Sequence, residues 1–176
     1  MISSQNTIQS QALSDKTQKV VQAFEALGTD EKLALLYFIY EKMGDSITPA
    51  APTATEPELA PLLMGDFYQL SHEAQLEVMR EIVNGENTEY SRAYGALKEN
   101  NQLMVWFAWA QGMGDTVVDM PQAYKATQAI KDALSQIEGL DFDEQISVLR
   151  TVASHMGYTE IKSTSSQAET GKTPSL

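Results

Sequence analysis

Few side chains in this 176-residue chain are spaced for bond-making chemistry. His72 and His155 stand alone in sequence, and each falls in a predicted helical turn where a surface or capping role suffices. Asp141, Asp143 and Glu144 begin like a calcium loop but lack its glycine and closing glutamate, so helix capping is the simpler reading. Gly112-Met113-Gly114 has no third glycine and no strand before it, which removes a dinucleotide fingerprint. No Gly-x-Ser-x-Gly elbow, Walker loop or His-Glu-x-x-His occurs. The absence of cysteine removes a thiolate nucleophile, a disulfide framework and a thiolate metal site. The expectation is a protein without catalytic residues or a bound metal.

The residues that stand out are aromatic. Leu103 to Gly114, LMVWFAWAQGMG, holds both tryptophans, a phenylalanine and two methionines, and carries no charge. Leu103, Trp106 and Phe107 fall at i, i+3 and i+4 and so share a helix face, with Trp109 expected on another side. Upstream, Tyr37 and Tyr40 are three apart and Leu33 and Leu36 extend their stripe. Met79, Met104, Met113 and Met120 supply soft, adaptable contacts. Both segments are apolar nearly all round, so each must be covered on two sides. A helix buried between neighbours explains this. So does the wall of a ligand tunnel, because tyrosine and tryptophan need partners for their polar atoms and a closed core favours Leu, Ile and Val. The spacing leaves both readings open.

The elements that must position these residues read as helices almost throughout. Ser14 caps a first helix ending at Gly28, and Thr29 or Asp30 opens a second that Gly44 closes. Ser71 opens another that stops at Asn84-Gly85. Pro121 suits the first turn of a helix running toward Gly139, and Asp141 with Glu144 makes a capping box for a helix ending at Gly157. Ile47 to Pro61 carries four prolines and reads as a long extended loop joining two helix clusters. Asp30–Gly44 and Asp143–Gly157 are weakly alike, as duplication or a shared start-and-stop grammar would make them. Residues 1–14 and 162–176 read as polar tails around a helical unit at 15–161.

Charge and hydropathy exclude several classes of partner. Twelve basic residues against twenty-four acidic ones give a net charge of −12, which opposes nucleic acid and anionic membrane surfaces alike. The N-terminus lacks the basic start and apolar run of a signal peptide, and no uncharged apolar run approaches the roughly 18–20 residues needed to span a bilayer. The cytoplasm is the expected setting.

Four stretches in order, DEKLALLYFIYEKMGDSITPAAP, LMVWFAWAQGM, DMPQAY and QISVLRTVASHMGY, resemble the N-terminal carotenoid-binding domain of the orange carotenoid protein, and more closely its stand-alone relatives, the helical carotenoid proteins. The resemblance runs from about Phe24 to Tyr158. It implies an all-α fold of two interleaved four-helix bundles around a keto-carotenoid such as canthaxanthin or echinenone. By the same resemblance, Leu33, Leu36, Tyr37 and Tyr40 line the tunnel from the second helix, and Met79 from the Ser71 helix. Leu103, Trp106 and Phe107 form an aromatic wall with Met120, Pro121 and Tyr124 beyond it, while Ile146 and Arg150 lie near the other mouth. Tyr37 stands where the larger protein typically has tryptophan, and Phe107 where it has tyrosine.

The family's known roles are singlet-oxygen quenching and dissipation of phycobilisome excitation. Arg150 occupies the position of an arginine used in antenna contact, yet a net charge of −12 disfavours docking on an acidic phycobilisome. The resemblance therefore points first to constitutive singlet-oxygen quenching. A carotenoid carrier, loaded by a membrane or by a homologue of the sensory C-terminal domain, is the competing reading. The chain shows no counterpart of that C-terminal domain, so no photoswitching is expected of it alone.

Overall fold

A computed structural model describes residues 14–47, 60–121 and 124–160. The predicted tails and nearly all of the proline-rich stretch lie outside the described residues. Eight α-helices and one 3-10 turn account for most of what is described. They are α1 (Asp15–Glu25), α2 (Thr29–Ile47), α3 (Pro61–Met64), α4 (His72–Asn84), α5 (Glu89–Gly95), α6 (Glu99–Gly112), α7 (Gln128–Glu138) and α8 (Phe142–Ser154), with the 3-10 turn at Asp66–Gln69.

Short polar side chains set most of the starts. The hydroxyls of Ser14, Ser71, Thr88 and Thr127 each accept the N–H three residues on, which satisfies a donor that the first turn leaves open. At Asp141 the capping box is complete: its carboxylate accepts from Glu144 N at 2.8 Å, and the Glu144 carboxylate accepts from Asp141 N at 3.2 Å. Gly85, at φ 65°, ends α4 in the left-handed conformation that only glycine adopts without strain.

Two expected boundaries move. Gly44 does not close α2, which runs on to Ile47, because a mid-helix glycine costs only about 1 kcal/mol unless the chain turns left-handed there. Pro121 does not start a helix; α7 begins at Gln128, where Thr127 supplies the cap that Pro121 cannot. Helices α3 and α5, both short, carry no periodic stripe long enough to announce them.

Packing divides the helices into two groups interleaved along the chain. Helix α1 packs on α7 and α8, and α2 on α7, so the first and last parts of the sequence form one bundle. Helices α3 to α6 form the other, in which α5 packs on α3 and α4, and Trp109 of α6 donates its indole N–H to the Leu63 carbonyl of α3 at 3.1 Å. The bundles interlock where α2 meets α4 and α6, and where α6 meets α8. Helix α6 is thereby covered on two sides, and Gln102 through Phe107 are buried without a break. This is the all-α, two-bundle arrangement that the resemblance implies. The one β-bridge among the described residues, Met113 with Val117, is isolated.

Candidate functional site

Where α2, α4 and α6 meet, their side chains leave a cavity of about 350 Å³. Helix α2 contributes Asp30, Leu33, Ala34, Leu36 and Tyr37; α4 contributes Leu76, Met79 and Arg80. Trp106, Trp109 and Ala110 of α6 form a third wall, and the segment from Met113 to Pro121 closes the fourth side with Met113, Val118, Asp119, Met120 and Pro121, joined there by Tyr124. That segment is irregular, so it needs an external hold. Gln75, fully buried on α4, provides it: its amide N–H₂ donates to the Thr116 and Phe67 carbonyls at 2.9 and 3.2 Å, and its carbonyl accepts Val118 N–H at 2.8 Å. All three contacts are to backbone, so the amide fixes the position of the loop whatever its side chains.

The aromatic walls are held by their polar edges. Trp106 Nε1 donates to the Tyr94 hydroxyl at 2.9 Å, and that hydroxyl donates to the Ala153 carbonyl of α8 at 2.6 Å. The rings of Trp106 and Trp109 meet edge to face at 5.3 Å, and Trp109 stacks on Phe67 at 3.9 Å with 14° between planes. Both indole N–H groups thus find protein partners, and no indole donor is left for the cavity. The phenols stay neutral. Burial pushes Tyr94 far above the usual tyrosine range, with Trp106 opposing slightly. Desolvation raises Tyr37 and Tyr124 too, reinforced by Glu41 and Asp119 at the first and by Glu31 and Asp30 at the second.

The residues assigned to the tunnel by resemblance divide in two. Leu33, Leu36, Tyr37, Met79, Trp106, Met120, Pro121 and Tyr124 line this one cavity. Tyr40, Leu103, Phe107, Ile146 and Arg150 do not. Tyr40 and Phe107 meet ring to ring at 5.7 Å, Leu103 and Ile146 are buried in the continuous core, and half-buried Arg150 donates from Nε to Asn100 Oδ1 at 2.8 Å. One expectation is corrected: Trp109 does not lie apart from Trp106. On α6 the cavity takes Trp106, Trp109, Ala110 and Met113, that is i, i+3, i+4 and i+7, so the face continues downstream of Trp106 rather than upstream to Leu103. Tyr94 and Gln75 escaped the sequence reading because neither belongs to an aromatic stripe.

The histidines occupy the surface and capping positions expected of them. His72 is exposed at the first position of α4, and His155 caps α8 while its Nδ1 lies 2.9 Å from Glu25 Oε2. Among the described residues no cluster of His, Cys, Asp or Glu could hold a metal ion. No helix described is long and apolar enough to cross a membrane. The site offers no nucleophile with an adjoining base. It can enclose an apolar body against aromatic rings, and its charges, Asp30, Arg80 and Asp119, stand among the lining groups as the polar exceptions.

Fold and cavity together define an all-α protein with an internal site walled largely by aromatic rings, thioethers and aliphatic side chains. A family model described as the orange carotenoid protein, N-terminal, matches residues 10–159. The chain belongs to that family. It is 40% identical over 144 residues to an orange carotenoid-binding domain-containing protein of Nostoc sp. strain PCC 7120, covering 81% of this chain and 84% of the relative. It is 30% identical to the orange carotenoid-binding protein of Limnospira maxima, of which it spans 46%. Among solved structures, the Red Carotenoid Protein of Anabaena (Nostoc) sp. PCC 7120, which binds canthaxanthin, superimposes with a TM-score of 0.71 at 35% identity over 81% of this chain and 99% of that one. The Orange Carotenoid Protein of the same organism, also binding canthaxanthin, gives 0.78 at 27% identity over 92% of this chain and 52% of that one.

Proposed function

We propose that this chain binds a keto-carotenoid, canthaxanthin or echinenone in type, and serves as a constitutive singlet-oxygen quencher, with 15–161 as the binding unit. One observation carries the reading: a ring-lined, largely apolar cavity in which both indole N–H groups are bonded to protein and desolvation raises the lining phenols of Tyr37 and Tyr124 above the ordinary tyrosine value. Such a wall favours a ligand that is apolar along its length. Each 100 Å² of polyene removed from water contributes roughly 2.5 kcal/mol, and a stiff rod loses little conformational freedom when bound. Rings at stacking distance favour a flat conjugated system, and Met79, Met113 and Met120 adapt to its irregular edge.

One end of the rod occupies the cavity. The remainder passes Tyr40, Leu103 and Phe107 toward Ile146 and Arg150, where side chains that touch in this structure must separate to admit it. Quenching by the bound pigment transfers energy without breaking bonds, so it needs no nucleophile paired with a base. Antenna docking is disfavoured by the net charge of −12 and by the bond that occupies Arg150. Pigment carriage, with loading by a homologue of the family's C-terminal domain, is compatible with the same cavity and separates from quenching only by assay.

Expression in a canthaxanthin-producing host is the test. We expect a coloured protein that slows photosensitised oxidation and whose spectrum does not change reversibly in light. A colourless product overturns carotenoid binding. A coloured product without protection leaves the carrier, and a light-driven colour change refutes the constitutive reading.

A further inference from the structure

Among the described residues the cavity wall has one cation. Arg80 of α4 and Asp30 of α2 close a two-pronged pair across the space between their helices, with Nε–H donating to Oδ1 at 2.9 Å and a terminal N–H donating to Oδ2 at 3.1 Å. A guanidinium carries five N–H groups in a fixed plane, so the pair with Asp30 uses two and orients the rest. The others have no protein partner among the described residues. The remaining polar lining groups differ in kind. Asp30 and Asp119 are carboxylates and accept only, the Tyr37 hydroxyl is turned to Glu41 at 3.4 Å, and the indole N–H groups are taken. The Tyr124 hydroxyl is the other lining donor with no acceptor among the described residues.

A site that is apolar along its walls, with a fixed donor at one edge, suits a ligand that is apolar along its length and carries an acceptor at its end. We propose that Arg80 is a specificity-determining residue whose spare N–H groups donate to a carbonyl oxygen on the end ring of the bound polyene. This rests on the carotenoid reading above and adds to it the chemistry of the end group and the residue that reads it. The other charged lining groups, Asp30 and Asp119, are carboxylates and repel a carbonyl oxygen, so the guanidinium is the one charged lining group that attracts it. A hydrocarbon end ring forgoes that hydrogen bond. Because the Arg80 side chain is 39% exposed, water can replace the lost partner, so the preference is moderate rather than absolute.

The test presents the purified pigment-free chain with canthaxanthin and β-carotene in equal amounts and measures the ratio retained. The natural chain should favour canthaxanthin by about three- to tenfold, the range for one solvent-accessible hydrogen bond to a charged donor. Arg80→Met should lower the ratio to about one through loss of canthaxanthin. The carbonyl stretch of bound canthaxanthin should lie at lower frequency in the natural chain than in Arg80→Met, a readout that general loosening of the fold would not produce. Equal retention of the two pigments by the natural chain overturns the proposal, as does an Arg80→Met variant that keeps both the ratio and the carbonyl frequency. Retention of neither pigment overturns the carotenoid reading itself, a result distinct from loss of selectivity.

Discussion

Two stretches of the interior, built from similar residues, end in opposite states. Between Leu33, Leu36, Met79, Trp106 and Met120 the side chains leave an open space, whereas around Leu103, Phe107, Ile146 and Tyr40 they meet. Hydrophobicity does not distinguish the two. What differs is how the large groups are held. In the open region the indoles are tied outward, Trp106 to Tyr94 and Trp109 to Leu63 and Phe67, and Gln75 anchors the facing loop by its backbone. None of these groups can collapse inward without giving up a buried hydrogen bond. The rings of the closed region carry no such tether among the described residues, and Phe107 lacks a polar atom to tether. A cavity persists where polar bonds restrain its walls and fills where only packing decides.

The comparison is broken most directly by truncating one leucine in each region. Leu103→Ala, in the filled region, should lower the unfolding free energy of the pigment-free chain by about 3–5 kcal/mol, because it creates a new void. Leu36→Ala only widens an existing space and should cost about 2 kcal/mol, near the low end for such changes. Urea titration of the two variants measures the difference, and equal costs would erase the distinction. The next effect is smaller and sharpens the account of tethering. Tyr94→Phe leaves the Trp106 N–H without its acceptor in a fully buried setting, while the Ala153 carbonyl keeps the Met156 N–H at 3.3 Å, for a loss of about 1–3 kcal/mol. The indole N–H of Trp106 should then exchange with solvent faster by NMR; unchanged protection would show that the ring is held by packing alone.

The smallest effect belongs to neither region. Glu25 of α1 bonds His155 at the end of α8, and that hydrogen bond, followed by the charges of His155 and Lys32, holds its carboxyl below the ordinary glutamate value of 4.5 despite partial burial. The folded-state value is depressed, so the contribution is fully present above 4.5 and disappears as pH falls through the lower folded value. For a pair this exposed it amounts to about 0.2–1 kcal/mol. Glu25→Gln should remove that acid-side slope from the stability profile, and an unaltered slope would assign it to other carboxylates.

Much of this was legible in the sequence because it is local. Ser14, Ser71 and Asp141 act on N–H groups a few residues away, so their type and position are enough to place three helix starts. Gly44 and Pro121 misled for a related reason: each residue type permits a boundary without requiring one. The site was legible only as far as the Trp106 face could be guessed. Helix α6 is apolar on every side, so spacing alone does not say which stripe meets a neighbour and which meets the cavity. The downstream stripe through Trp109, Ala110 and Met113 was as regular as the upstream one. Choosing between them required α2 and α4 in place. Gln75 and Tyr94 gave no signal, since each acts through backbone or rings that are remote in sequence until the bundles close.

The interleaving of the bundles has a consequence in time. A ribosome adds roughly 5–20 residues each second, so α1 emerges on the order of ten seconds before α8, the helix on which it packs. Helices α3 to α6 are complete well before that moment and can assemble among themselves, while the greasy faces of α1 and α2 wait. The Ala153 carbonyl that secures Tyr94, and through it Trp106, lies in α8, the last of the described helices to be synthesised. Nascent chains stalled before α8 therefore lack the final latch on the aromatic wall, and the chamber stays unsealed until α8 has emerged.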